Sequence, residues 1–330
     1  MSFPHGDTLG IVFSFLSTFE ILHGLLYLVS RDWMFVLKTL AHSWGHTLEL
    51  DWTKCKCTLP FYAWRHITEV WLPTPVHLDS HGLVYFKCMS LMSIQKLELR
   101  FCNNASVLQH ISTMKLEHLD LTGYSCHISL FMSWISSLPL RYLDLSACQD
   151  VSDVSLSYLS DLPLQTLKLC SLFNITNDGL RHLRALPLQH LDLSTTKISD
   201  DGLTHLVGLP LEHLVLNCCG RITDVGLLRI SVLPLKHIGL AQCYRIVGNC
   251  LKCFKHANYI DLSGNERITD QAIIEIARLP LLRKLYLILC PNVSENAVTR
   301  LQSSNRQLVI KHRRTLEYTS SSRILLGFHE

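Results

Sequence analysis

Charge is scarce in this chain. Asp, Glu, Lys and Arg make up 17% of its 330 residues, and the formal net charge is only +3. Beside 48% hydrophobic residues, this shortage excludes an intrinsically disordered chain, which needs the opposite balance. It also leaves no broad basic face, because the cations are scattered apart from the run Lys311-His312-Arg313-Arg314. Nucleic acid is therefore not an expected partner. Catalytic signatures are missing as well: there is no Gly-rich phosphate loop, no G-x-S-x-G elbow and no H-E-x-x-H helix. Isolated Ser, His and Asp residues without a nucleophile motif do not make a triad. The chain is read as a non-enzyme, with no catalytic residues and no cofactor.

The apolar stretch from Leu9 to Val29 lacks a basic n-region and carries Glu20 and His23 in its middle. Membrane insertion and secretion are not expected, although an anchored or secreted protein using residues 9–29 stands as an alternative. The 13 cysteines are plentiful, yet many recur at one position of a repeat, which carries them along parallel loops and not into pairs. A reducing compartment fits, cytoplasmic or nuclear. Cys55-x-Cys57 and Cys250-x-x-Cys253 with His256 do not make a zinc site, because the second pair falls where the repeat expects its helix and no further pair matches it. No metal is expected.

What the chain has is a period. Copies begin at Leu116 (LEHLDL), Leu140 (LRYLDL), Leu164 (LQTLKL), Leu188 (LQHLDL), Leu211 (LEHLVL) and Leu235 (LKHIGL), a spacing of 24 residues that shortens once to 23. Weaker copies lie around Leu48, Ile67 and Ile94 before them and at Ile260, Leu282 and Leu308 after them. Alternation such as Leu119 and Leu121, or Leu191 and Leu193, is the period-two pattern of a short strand with one buried face. A helix is expected next: Thr223 or Asp224 can cap it, and Leu227, Ile230 and Leu233 line one side. The same start is written Ser152-Asp153, Thr176-Asn177, Ser199-Asp200 and Thr269-Asp270. Proline then ends most units, at Pro139, Pro163, Pro187, Pro210, Pro234 and Pro280, since it cannot continue a helix. A unit of this size cannot hide its own leucines, so stability must come from stacking on its neighbours.

Three residues after the second strand leucine stand Cys102, Cys148, Cys219, Cys243, Asn265 and Cys290, where loop amides need buried acceptors. The whole unit resembles the cysteine-containing leucine-rich repeats, over roughly residues 43 to 310. That resemblance implies an α/β solenoid, with a curved parallel sheet inside, helices outside and a protein-binding role.

Ahead of the repeats, Phe3-Pro4, Val12-Phe13-Ser14-Phe15-Leu16, Glu20-Ile21-Leu22 and Val29-Ser30-Arg31-Asp32-Trp33 resemble an F-box. Here Phe3 stands where that family has Leu, and two extra residues separate Leu22 from Val29, which turns a helix by about 200° unless a loop absorbs them. The resemblance implies that Pro4, Phe13, Phe15, Leu16, Ile21, Leu22 and Trp33 bind the linker subunit of a cullin-RING (SCF-type) ubiquitin ligase. The solenoid would then hold a protein substrate. The alternative is a ligase-independent scaffold or inhibitor in which residues 1–42 only cap the coil. The domain reading is 1–42 F-box-like and helical, 43–310 solenoid, and 311–330 a basic, Ser-rich tail.

The outward strand positions define the candidate substrate surface, the concave face. Its residues are His118, Asp120, Tyr142, Asp144, Lys168, His190, Asp192, His213, His237, Tyr259, Asp261 and Tyr286. Mixed aromatic and polar side chains suit contact with a protein. Asp in L-D-L-S is also frequent in this repeat, so Asp120, Asp144, Asp192 and Asp261 have a structural reading too.

Overall fold

A computed structural model describes residues 47–49, 69–71, 94–102, 105–125 and 128–313. The F-box-like segment and residues 314–330 lie outside them. Twelve strands are formed: β1 (Thr47–Glu49), β2 (Glu69–Trp71), β3 (Lys96–Glu98), β4 (His118–Asp120), β5 (Tyr142–Asp144), β6 (Thr166–Lys168), β7 (His190–Asp192), β8 (His213–Val215), β9 (His237–Gly239), β10 (Tyr259–Asp261), β11 (Lys284–Ile288) and β12 (Val309–Arg313). They fall in two compact units, the first reaching Asp150 and including Asp161–Leu164, the second taking Val151–Ser160 and the chain from Gln165 onward.

In the first unit β1 to β4 each pair in parallel with the following strand, ending at β5. In the second, β6 to β12 do the same. The register is strict: Leu167, Leu191, Leu214, Ile238, Ile260, Leu285 and Ile310 stand side by side in successive strands. All seven are buried. Thus the period-two pattern does fix which face is inside.

Among the described residues seven α-helices follow strands: α1 (Ala105–Ile111), α2 (Met132–Ile135), α3 (Asp153–Ser157), α4 (Asp200–Leu203), α5 (Asp224–Ile230), α6 (Asp270–Ile276) and α7 (Glu295–Ser304). The expected helix is corrected in two turns, where a short 3-10 segment stands in its place, at Gly179–Leu183 and Leu251–Cys253; at Ile128–Phe131 and Thr204–Leu206 a 3-10 segment adjoins α2 and α4. A 24-residue turn that has already spent residues on a strand and two loops has room for little more, and 3-10 geometry covers more length per residue. Leu227, Ile230 and Leu233 are buried as expected. The basic run is a second correction: Lys311, His312 and Arg313 belong to β12, paired with Tyr286, Leu287 and Ile288. The apolar strand of Leu308 and Ile310 continues into them, so His312 is only 3% exposed at its side chain.

Each of β3 to β11 is left through a residue in the left-handed region, Ser171, Thr195, Cys218 and Gln242 among them, with φ of 59°, 58°, 59° and 56°. For a residue with a Cβ this costs roughly 1–2 kcal/mol. The cost is offset because the turned amide donates to the next exit loop: Ser171 to Ser194 O at 2.9 Å, Thr195 to Asn217 O at 2.8 Å, Cys218 to Ala241 O at 2.8 Å and Gln242 to Ser263 O at 2.7 Å. The residue after it turns inward. There Cys148, Cys219, Cys243 and Cys290 donate their thiol hydrogens to the carbonyls of Leu121, Leu193, Leu216 and Leu262, at 3.0, 3.2, 3.0 and 3.1 Å. Asn265 Nδ2 makes the same bond to Leu240 O at 2.7 Å. Cys219 Sγ also lies 3.8 Å from the Thr196 hydroxyl. Burial pushes the Cys148 and Cys243 thiols up to about 12 and those of Cys219 and Cys290 up to about 11.

The aspartates at helix starts join turns instead of capping their own helices. Asp153 accepts from the Thr176 amide and hydroxyl at 2.8 and 2.6 Å, and Asp200 does the same for Thr223 at 2.8 and 2.6 Å. Asp270 takes Ser294 at 2.6 and 2.6 Å. Thr223 itself caps α5, accepting from Val225 N at 3.1 Å. The carboxylate lies so close to the following turn that a Cβ on Gly179 would meet Asp153 Oδ1 at 2.2 Å, and one on Gly226 would meet Asp200 Oδ1 at 2.2 Å and Asp200 Cα at 2.8 Å. This explains the glycine of the D-x-G motif. Where Cys250 replaces that glycine, the chain detours through Gly248 at φ 94°, and only the 3-10 turn Leu251–Cys253 follows.

Helix propensity favours Gly226→Ala by about 1 kcal/mol, but the clash with backbone of Asp200 reverses the sign. The variant is expected to lose about 1–3 kcal/mol in urea denaturation, and a gain would refute the close approach. Folded protein is also expected to leave Cys148, Cys219, Cys243 and Cys290 unalkylated by iodoacetamide while exposed Cys218 reacts, as read by peptide mass mapping.

Candidate functional site

Side chains at the first and third strand residues point away from the leucine core and line up across each unit. In the first unit the His118 and Tyr142 rings stack with centroids 3.8 Å apart and planes 5° apart. Beside them is a charge network. Glu98 faces Lys96 at 3.5 Å, Arg100 at 3.4 Å and His118 Nε2 at 3.9 Å. Arg100 Nε donates to Asp120 Oδ2 at 2.7 Å.

In the second unit the register brings Thr166, His190, His213, His237, Tyr259, Lys284 and Val309 into one row. Its rings form a ladder: His190 on His213 at 4.1 Å, His213 on His237 at 5.4 Å and His237 on Tyr259 at 3.9 Å, with interplanar angles of 24°, 21° and 6°. Tyr286 meets Tyr259 edge-on at 5.1 Å, and Lys311 Nζ sits 4.8 Å above the Tyr286 ring centre. Stacking covers both ring faces of His213 and His237, so solvent meets their edges, which carry the ring nitrogens.

Burial holds the His190 imidazole below the usual histidine range, against the opposite pull of Glu212. Burial and then the neighbouring His190 do the same for His213. Neutral rings can stack this closely, whereas two imidazolium ions at that distance would repel. Burial, followed by Asp261 and Tyr286, raises the Tyr259 phenol above its ordinary value. The His190 and His213 rings thus favour the neutral, hydrogen-bonding form.

The aspartates of the surface are structural. Asp120, Asp144, Asp192 and Asp261 each accept the amide two residues on, from Thr122, Ser146, Ser194 and Ser263, at 2.9, 2.9, 2.8 and 2.9 Å. These bonds close the turns after β4, β5, β7 and β10. Asp120 is 1% exposed and Asp144 5%, which leaves little of either for a partner. The structure brings His190, His213, His237, Tyr259 and Tyr286 together, and places His118, Tyr142, Asp120 and Asp144 in the first unit. Lys168 lies beside Asp192 in register. Pro4, Phe13, Phe15, Leu16, Ile21, Leu22 and Trp33 lie outside the described residues. Sequence reasoning missed Lys311, assigned to a tail; the alternation through Val309, Lys311 and Arg313 was its available signal. Among the described residues no cluster of three or more His, Cys, Asp or Glu is placed to hold a metal ion, and no helix is long and apolar enough to cross a membrane.

A family profile described as Leucine Rich repeat matches residues 179–207 and 210–231. No curated protein matches the sequence significantly. Among solved structures, the chain is similar to one from the yeast Rad7 and Elc1 complex, with 15% identity and a TM-score of 0.60 over 77% of this chain and 70% of that one. It is also similar to an internalin of Listeria monocytogenes, 18% identical, with a TM-score of 0.53 over 76% of this chain and 74% of that one. With the parallel in-register strands and the repeat profile, these likenesses define the fold as an α/β leucine-rich-repeat solenoid.

The depressed imidazoles give stability a sign. Unfolded histidine titrates near about 6.5, and the folded state holds His190 and His213 lower, so the unfolded chain binds more protons in that window. Their contribution is complete above that pH and is lost as pH falls through the folded values. The thermal midpoint is expected to drop between about pH 7.5 and about pH 5.5, and to drop less in His190→Gln/His213→Gln. Equal slopes in the two proteins would contradict the stacked neutral pair.

Proposed function

We propose that this protein is the substrate-recognition subunit of a cullin-RING ubiquitin ligase, acting in the cytoplasm or nucleus. In this reading residues 1–42 dock onto the linker subunit and the strand face holds a protein target. The observation that carries the target-binding half is the ladder of His190, His213, His237 and Tyr259. Rings offer large, rigid contact area at little cost in side-chain entropy, and such surfaces anchor protein partners. The ligase half is supported by the F-box-like residues ahead of the repeats, and by likeness in fold to a chain from the Rad7 and Elc1 complex. The role is proximity and not chemistry: target lysines are held at high effective concentration near a charged ubiquitin carrier.

Affinity purification of the full chain tests both halves. Linker and cullin subunits are expected to co-purify with the parent protein and to be lost in Phe13→Asp/Leu16→Asp, with thermal stability retained. His213→Ala/Tyr259→Ala is expected to keep those subunits and to lower ubiquitination of a bound target by about tenfold or more, as removal of interface anchors does. Repeats that fold normally but never recover linker or cullin would instead favour the capped, ligase-independent scaffold.

A further inference from the structure

Charge is unevenly committed on the strand face of the second unit. Its carboxylates are engaged within the protein: Asp192 and Asp261 accept turn amides at 2.8 and 2.9 Å, and Glu212 accepts from Lys236 at 2.7 Å. The cations on β11 and β12 differ. Arg283, Lys284 and Lys311 are all exposed, and among the described residues none of the three forms an ion pair. Lys284 closes the ring row next to Tyr259, while Lys311 is steadied over the Tyr286 ring at 4.8 Å. A cation held in place by a ring loses less entropy on meeting an anion.

We propose that this end of the strand face binds an acidic peptide segment of a protein target, its carboxylates held by Lys284, Lys311 and Arg283 and its backbone met by the edges of the ring ladder. The proposal rests on the reading of the strand face as a protein-binding surface and names the chemistry it selects. Lys284 pairs with Val309, so Lys311 is its diagonal neighbour. Diagonal positions of a sheet are about 7–8 Å apart, close to the roughly 7 Å between alternate side chains of an extended peptide. Two carboxylates on one side of such a peptide therefore reach both lysines. A continuous phosphate chain fits less well, because Asp192 and Asp261 stand in the neighbouring row.

Acidification adds to the same surface. His190 has Glu212 and His213 beside it; His213 has His190, His237, Glu212 and Lys236; His237 has His213 and Tyr259; and Lys168, Asp192 and Asp261 stand in the neighbouring row. Three of these neighbours are carboxylates already bonded inside the protein, so each proton taken up makes the ladder more cationic. An anionic ligand favours the protonated rings, and its affinity rises as pH falls through the imidazole range.

Fluorescence anisotropy with the full chain tests this, using a labelled peptide of alternating Glu and Gly, its Gln counterpart, and a single-stranded oligothymidine of equal charge. The Glu peptide is expected to bind about tenfold tighter than the Gln peptide, and to lose that advantage in Lys284→Glu/Lys311→Glu or in the milder Lys284→Gln/Lys311→Gln. Binding should tighten by about threefold or more from about pH 7.5 to about pH 5.5, and His190→Gln/His213→Gln/His237→Gln should abolish that gain. Equal binding of the Glu and Gln peptides, or an advantage that survives charge reversal, overturns the proposal, as does preference for the oligothymidine. Failure of cullin to co-purify removes the ligase role and leaves this result standing; a failed peptide preference removes the acidic target and leaves the ligase role.

Discussion

One constraint shapes the molecule: a strand of three residues and a helix of one or two turns cannot keep their own leucines dry. Leu191 leaves water because Leu167 stands on one side of it and Leu214 on the other, in strict register. Burying such a side chain contributes about 1.5–3 kcal/mol, and every turn gains it only from its neighbours. Everything else adapts to this stacking. Left-handed residues at the strand exits, thiols reaching back to leucine carbonyls and aspartates reaching forward to hydroxyls all join one turn to the next. The fold is therefore stabilised along its length and has little that is local.

The same register makes the surface. Because strands pair residue for residue, a side chain at the first strand position must stand beside its counterpart in the next turn. Imidazole and phenol rings placed there have no choice but to stack. The chemistry of the ladder follows: imidazoles at His190 and His213 that favour the neutral form, a phenol with its proton held more firmly, and cations at one end. A binding surface built this way is rigid before any partner arrives, which reduces the ordering cost of association.

Much of this was legible in the sequence, for identifiable reasons. Leucine alternation and the 24-residue spacing gave the strands, their order and their inward face, because burial pattern is a direct image of pleat geometry. The row of His190, His213, His237 and Tyr259 could be read off by alignment alone. Harder were the partners of each recurring residue. Asp200 looked like a cap for its own helix, yet it serves Thr223, one turn away; periodicity reveals what recurs and not which neighbour it addresses. The 3-10 segments were hidden because leucines every third residue suit both helix types. Strand-face aspartates looked suited to a partner, but their second atom of interest was the amide two residues on. The F-box resemblance rests on residues 1–42, and the described residues do not include them.

The close approach of Asp200 to Gly226 has a consequence for the architecture as a modular object. Adjacent turns are matched pieces: one presents a carboxylate, and the next leaves out a methyl group to receive it. Gly248 lacks that carboxylate, and the turn after it carries Ala272, which sits 3.1 Å from where a Cβ on Gly248 would be. The turns are thus not interchangeable beads. Excising or duplicating one would create a new seam, and whether that seam closes depends on which two residues it brings face to face.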